Sequence, residues 1–251
     1  GSFQNYAVDE NGKLLGSWGL RGYLFGTDTY GADIFQRICA GGKMTMTIGA
    51  VAVIFSTIIG IIIGCLSGYF GGKVDMVLMR VTEIFTAIPF LPFAMILSSV
   101  MSQMTLSEDM RIFIIMVILG VLTWPSLARL VRGQVLVARE SEYVTAAKAM
   151  GVGERKIAFK HILPNGIGPI IVSATLCLGQ TILSISSMGY LGLGVASPTP
   201  EWGTIISENK INIQAYPYLG LIPGICICLT VMAVNFIGDG LRDAFDPRTK
   251  K

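Results

Sequence analysis

Charge is the scarcest commodity in this sequence. Only 14% of its 251 residues are charged, where a soluble domain of this size carries about 25%. That excludes a large water-soluble core. The 52% of hydrophobic residues and the mean hydropathy of +0.64 point to an integral membrane protein instead. Histidine is scarcer still: His161 is the single one, and no Cys/His/carboxylate cluster reads as a metal centre. The five cysteines, Cys39, Cys65, Cys177, Cys226 and Cys228, lie in or beside apolar stretches. Their spacing gives neither a disulfide framework nor a zinc site, so they read as buried thiols acting as small hydrophobes. A phosphate-binding loop is also missing. It needs G-x-x-x-x-G-K-[ST], so that backbone amides cradle phosphates and the hydroxyl holds magnesium. Gly41-Gly42-Lys43-Met44 has methionine at the hydroxyl position and Arg37 where the first glycine belongs, and Gly71-Gly72-Lys73-Val74 also fails at its last position. Both read as span-end glycines beside an anchoring lysine. The chain is expected to bind no cofactor and to hydrolyse no ATP itself.

What is present is a set of long apolar runs. A span needs roughly 20 apolar residues, because the hydrocarbon layer is about 30 Å thick and a helix rises about 1.5 Å per residue. Five stretches qualify: about 44–69, 76–100, 112–130, 167–190 and 218–237. Pro89 and Pro92 fall inside the second and Pro125 inside the third, where kinks are expected. Lysine and arginine set the orientation. If the polar insert 142–165 faces the cytoplasm, thirteen basic residues lie on the inside and six outside, out of 19 in all. That obeys the positive-inside rule. The net charge of +3 is therefore a topology signal and gives no case for nucleic-acid binding. Five spans with the C-terminus inside leave the N-terminus outside. A first span is expected to be missing upstream of the chain, with 1–41 an extracytoplasmic segment and 42–251 the transmembrane domain.

The insert "EYVTAAKAMGVGERKIAFKHILPN" carries Lys148, Arg155, Lys156 and Lys160. At mid-bilayer each basic residue costs about 2.5–3.5 kcal/mol, so the segment must stay in water or against protein. Tyr143, Ala146, Ala147 and Met150 recur at i, i+3, i+4, i+7, one face of a short helix. Gly151 reads as its stop, and Gly153 as a second joint. A second helix is expected over 154–162, with Glu154 in its first turn, Lys160 and His161 in its last, and Pro164 ending it. Helices this short are marginal in water. The insert is either a solvated basic loop or a docking knob held by a partner. His161 reads as a capping or interface residue.

The pattern Thr145-Ala146-Ala147, three residues, Gly151, then Leu163-Pro164 resembles the EAA loop of ABC importer permeases: Glu-Ala-Ala, three residues, Gly, nine residues, Ile-x-Leu-Pro. Thr145 stands at the acid position, with Glu142 about one turn earlier, and His161 stands at the Ile position. The segments "FGTDTYGADIFQRICAGGKMTMTIG", "YLGLGVASPTPEWGTII" and "NFIGDGLRDAFDPR" resemble the C-type subunit of the dipeptide, oligopeptide and nickel permeases. Ala32 and Lys43 stand where that subunit has arginine. The resemblance implies an all-α polytopic membrane protein with the ABC type I importer permease fold. On that resemblance, five transmembrane helices are expected here and a sixth upstream, in the bacterial inner membrane with the C-terminus cytoplasmic. It implies a pore shared with a B-type permease subunit, two ATP-binding subunits carrying ATP and Mg, and an extracytoplasmic substrate-binding protein. The EAA loop, at about 131–165, would couple ATPase motion to alternating access. Its coupling residues would be Glu142, Tyr143, Ala146, Ala147, Met150, Gly151, Arg155, Lys156 and Pro164. The small face would seat in an ATPase groove, and Arg155 or Lys156 would pair with acids there. Substrates of the subfamily include dipeptides, longer peptides and nickel.

Polar residues inside spans are the remaining candidates. Glu83 follows Arg80 by three residues and either pairs with it or serves as a gate. Gln180, Ser184 and Ser187 share a face of the fourth span, which either bonds a neighbouring helix or touches substrate in a pore. Asn235 and Asp239 share a face at the end of the last span. Two outer segments, 27–39 starting at Asp28 and a helix beginning near Pro200-Glu201, either lie on the outer leaflet or face the binding protein. The rival class is a secondary transporter or channel without an ATPase, for which internal repeats are the usual mark; none is visible here. A membrane scaffold without a pore is a third.

Overall fold

A computed structural model describes residues 25–26, 33–195, 197 and 199–245, apart from the side chains of Leu91, Ser98, Ser102, Arg155 and Phe159. The upstream segment 1–24 and the expected turn at Asp28 lie outside the described residues. Helix α1 (Ile34–Phe70) starts at Asp33, whose side chain accepts from the Phe35 amide. At 37 residues it is about 55 Å long, well over the hydrocarbon thickness. It runs unbroken through Gly41 and Gly42, so the boundary expected at 41 falls inside a helix. Ile34 and Ile38 are buried against Leu219 instead of lying on lipid.

Three glycines of α1 decide how the membrane helices meet. A Cβ on Gly60 would lie 2.9 Å from Leu127 Cβ, and one on Gly68 would lie 2.8 Å from the Arg132 carbonyl. From the other side, Gly120 sits against Ala52 and Phe55. Position rises together along α1 and α4 (Glu108–Arg139), so the two helices run parallel. Gly60, Gly64 and Gly68, spaced by four, let the backbones close as small residues do in membrane helix pairs. Two consecutive parallel spans need a return crossing between them.

That crossing is α2 (Gly72–Ala87) followed by α3 (Phe90–Gln103). The second expected span is therefore present but broken, with a bend of 77°. The break sits at Ile88, extended at φ −73° and ψ 117°, as the residue before a proline tends to be. Pro125, by contrast, is buried inside an α4 that continues through it. The chain goes on through the insert to α8 (Ile167–Tyr190), a short α9 (Trp202–Asn209) and α10 (Tyr218–Phe245). α8 and α10 are antiparallel: Gly168 faces Phe245, and Gly179 faces Asn235. Among the described residues, four helices are long and apolar enough to cross a membrane, and the broken pair makes five. Their outward faces are apolar, as with Ile54, Ile58 and Ile62 on α1. That is what a lipid solvent requires.

Helix α9 corrects the expectation of an interfacial helix. Trp202 and Ile205 are buried. Trp202 Nε1 donates to the Ile38 carbonyl at 2.9 Å, and Arg37 pairs with Glu208 at 2.6 Å. Gly41 and Gly42 make the room for this: a Cβ on Gly42 would come 2.6 Å from the Trp202 ring. They serve packing and do not mark a span end. The cysteines are all free; Cys65 is buried, but Cys39 and Cys228 are exposed on this chain.

Candidate functional site

The insert folds back on the ends of its own membrane helices. α5 (Glu142–Ala149) buries Val144 and Ala147 in a cluster with Cys65, Tyr69, Val131, Val135 and Ile170. Ile157, Ala158 and Ile162 from the following turns complete it. Each fully buried Val or Ile contributes about 1.5–3 kcal/mol, which explains how helices too short for water alone persist here. Lys148 Nζ lies 5.7 Å over the Tyr69 ring, a second tie to α1. Gly151, at φ 75°, makes the turn. Its amide bonds the Lys148 carbonyl at 2.9 Å and the Val152 amide bonds Ala147 at 3.1 Å, the paired bonds of a Schellman end.

Beyond Gly153 comes α6 (Glu154–Lys156), then a π-helical turn Ile157–Ile162 and α7 (Leu163–Asn165). The helix therefore does not end before Pro164. Pro164 has no amide to bond the Lys160 carbonyl, and its ring would crowd that carbonyl in an α-helix. The wider π turn, with the Leu163 amide reaching Ala158, takes up the misfit. Asn165 Nδ2 also bonds the His161 carbonyl one turn earlier, at 2.9 Å.

Of the expected coupling residues, Glu142, Tyr143, Ala146, Met150, Gly151, Lys156 and Pro164 are exposed. Met150 is 75% exposed. The side chain of Arg155 lies outside the description. Ala147 is 3% exposed and faces the chain's own core, so it cannot be offered to a partner. The 3.6-residue period groups Ala147 with Tyr143 and Ala146, but on so short a helix it also borders Val144, and the larger side chain set the inner face.

A second feature is a groove of about 780 Å³. Gln180 and Ser184 line it, joined by Thr123, Arg129, Asn235 and Asp239. The broken span lends Thr86 and Ile88, and Arg129 Nη1 bonds Thr86 Oγ1 at 3.0 Å. Ser187 is exposed and donates to the Leu183 carbonyl, outside the groove lining. Glu83 also lies outside it and pairs with Arg80 at 2.7 Å. Sequence reading missed Arg129, counted only as a topology charge. Asn235 and Asp239 were visible as an i, i+4 pair but had no face to belong to.

At the opposite end, the Glu201 carboxylate is fully buried. It accepts from Thr45 Oγ1 at 3.1 Å and from the Thr204 amide at 3.0 Å, capping α9. Burial pushes its pKa above the ordinary carboxylate value, and the hydrogen bonds from Gly203, Thr204 and Thr45 oppose that only in part.

Residues 60–251 match the family described as binding-protein-dependent transport system inner membrane component. The chain belongs to that family. Among its relatives, the oligopeptide transport system permease protein OppC of Haemophilus influenzae is 40% identical over 232 residues, covering 92% of this chain and 72% of the relative. The dipeptide transport system permease protein DppC of Alkalihalophilus pseudofirmus is 41% identical over 228 residues, covering 91% and 73%. Among solved structures, an inward-facing MetNI methionine ABC transporter matches with a TM-score of 0.69 at 20% identity, over 84% of this chain and 97% of that one. At that identity it speaks for the fold alone, and the fold is the type I importer permease fold expected from the resemblance. Membership places the chain among multi-pass inner membrane components.

Proposed function

We propose that this chain is a pore-forming subunit of an ATP-driven importer of di- or oligopeptides. Its partners are a B-type permease subunit, two ATP-binding subunits that carry ATP and Mg, and an extracytoplasmic substrate-binding protein. Relatives at about 40% identity are named as oligopeptide and dipeptide permease proteins, which supports the substrate class. The chain itself is non-catalytic in this reading, and its C-terminus is cytoplasmic.

The observation that carries the coupling role is the two-sidedness of the insert. Its inner face is locked to α1 and α4 through the cluster around Val144 and Ile157, while Tyr143, Ala146 and Met150 stay exposed. A partner seated on those three residues, with Glu142 and Lys156 at its edge, pushes on the span ends through a packed core. Arg155 and Pro164 complete the coupling surface, and Gly151 sets its angle. Gln180 and Ser184 belong to the pathway. Met150→Glu buries a charge in the docked complex but alters nothing in the free chain. We expect it to leave permease expression and thermal stability unchanged. The ATP-binding subunits should no longer copurify in mild detergent, and uptake should stop. Normal copurification and uptake in that variant would remove the docking role.

A further inference from the structure

The groove beside the broken span has a floor and two walls. α8 supplies the floor with Gln180 and Ser184, the α2–α3 break and α4 form one wall, and α10 forms the other. Each wall carries one lining charge: Arg129 on α4 and Asp239 on α10. Both flank the same stretch of α8. Gly238 faces Thr175 and Leu176, and Leu130 shares an adjoining cavity of about 470 Å³ with Ser173 and Leu176. Backbone that leaves the helix at membrane depth is tolerated where it lines an aqueous cavity or is buried in protein, and Ile88 lines the groove directly.

We infer that Arg129 and Asp239 are transient counter-charges for the two ends of a zwitterionic peptide in transit. The inference rests on the peptide-importer reading above. Arg129 spends one donor on Thr86 and has further N–H groups in a planar fork that fits a carboxylate. Asp239 is an acceptor that suits an ammonium. The other polar groups of the groove are neutral hydroxyls and amides, which match a peptide backbone without choosing a sequence. A weak pair of opposite charges on facing walls lowers the barrier for a doubly charged small molecule and leaves its side chains unread.

The test uses the complete transporter, with its partner permease, ATP-binding subunits and binding protein, in proteoliposomes fed a labelled dipeptide. Arg129→Gln and Asp239→Asn should each lower the maximal uptake rate by roughly tenfold, the worth of one modest ionic contact. The concentration of loaded binding protein that half-stimulates ATP hydrolysis should not move. Arg129→Lys keeps the charge and should keep most of the rate; a fall equal to that of Arg129→Gln overturns the counter-charge role. Wild-type rates in both neutral variants also overturn it, while leaving the peptide reading intact. A wild-type complex that moves no peptide sinks the peptide reading itself. Should the neutral variants fail to assemble, Gln180→Cys in a chain whose five native cysteines are alanine decides. A charged thiol reagent must modify it, more slowly with peptide under turnover. No modification, or no protection, overturns the inference.

Discussion

Glu201 has no exposed surface and accepts from Thr45 Oγ1 on α1 and from the Thr204 amide and hydroxyl on α9, which joins the two helices. Its pKa is raised chiefly by burial. The folded chain therefore binds a proton more tightly than the unfolded chain does. Between the ordinary carboxylate pKa and the raised one, the native state holds more protons, so stability falls as pH rises through that window. Melting temperature in detergent should decline across it, and Glu201→Gln should flatten the slope while costing about 1 kcal/mol for the weakened cap. An unchanged slope in that variant would assign the pH dependence elsewhere. Ala147 and Met150 separate two meanings of one expected docking face. Ala147 is buried, and Ala147→Leu should lower stability by about 1–3 kcal/mol through overpacking, read as a lower melting temperature of the free permease. Met150, exposed, should show none of this.

At the scale of helices, the parallel α1–α4 seam depends on glycines with no room for a side chain. Gly64→Leu should force the helices apart and destabilise the chain by about 2–3 kcal/mol or more. Gly133→Ala in the same α4, with nothing near its added carbon, should be neutral or gain up to about 1 kcal/mol. Detergent unfolding of the two variants checks this; equal effects would deny the seam. The five spans could be read from the sequence because lipid demands long apolar runs and because charge is so expensive there. The bend at Pro89 was legible as a kink, since proline and its predecessor constrain the backbone locally. Other features were not legible, for reasons of partnership. Trp202 turns inward because Gly41 and Gly42, some 160 positions away in the chain, leave a slot for it. The π turn before Pro164 has a local cause, the proline's missing amide and its ring, but proline alone does not say whether a helix stops or widens. Arg129 and Asp239 became a pair only once α8 brought their helices to one groove.

The whole molecule has a sidedness that follows from the chain path. α1 and α4 end together, so the insert after α4 lies at the α1 exit. α8 leads away from that side, α9 sits at the far side, and α10 returns, which puts the insert and the end of α10 on one side. Charge is the argument for which side is the cytoplasm, and the proposed reading puts the insert there. Among the described residues, 10 of the 14 basic ones fall on the insert side or in the span ends leading to it. The inverted chain would have to translocate them against the positive-inside bias. Cysteines placed at Lys156 and at Gly240 should therefore react with an impermeant thiol reagent only when it reaches the cytoplasmic face, and one at Lys210 only from outside, all in a chain whose native cysteines are removed. The same labelling in the assembled transporter tests the coupling surface. A cysteine at Met150 should become protected once ATP-binding subunits are present, because only a docked partner covers a side chain 75% exposed in the free chain. Lys210, on the opposite face, should label as before. Protection at Lys210 with none at Met150 would place the ATPases on the wrong end of the molecule, and external labelling at Lys156 would invert the chain itself.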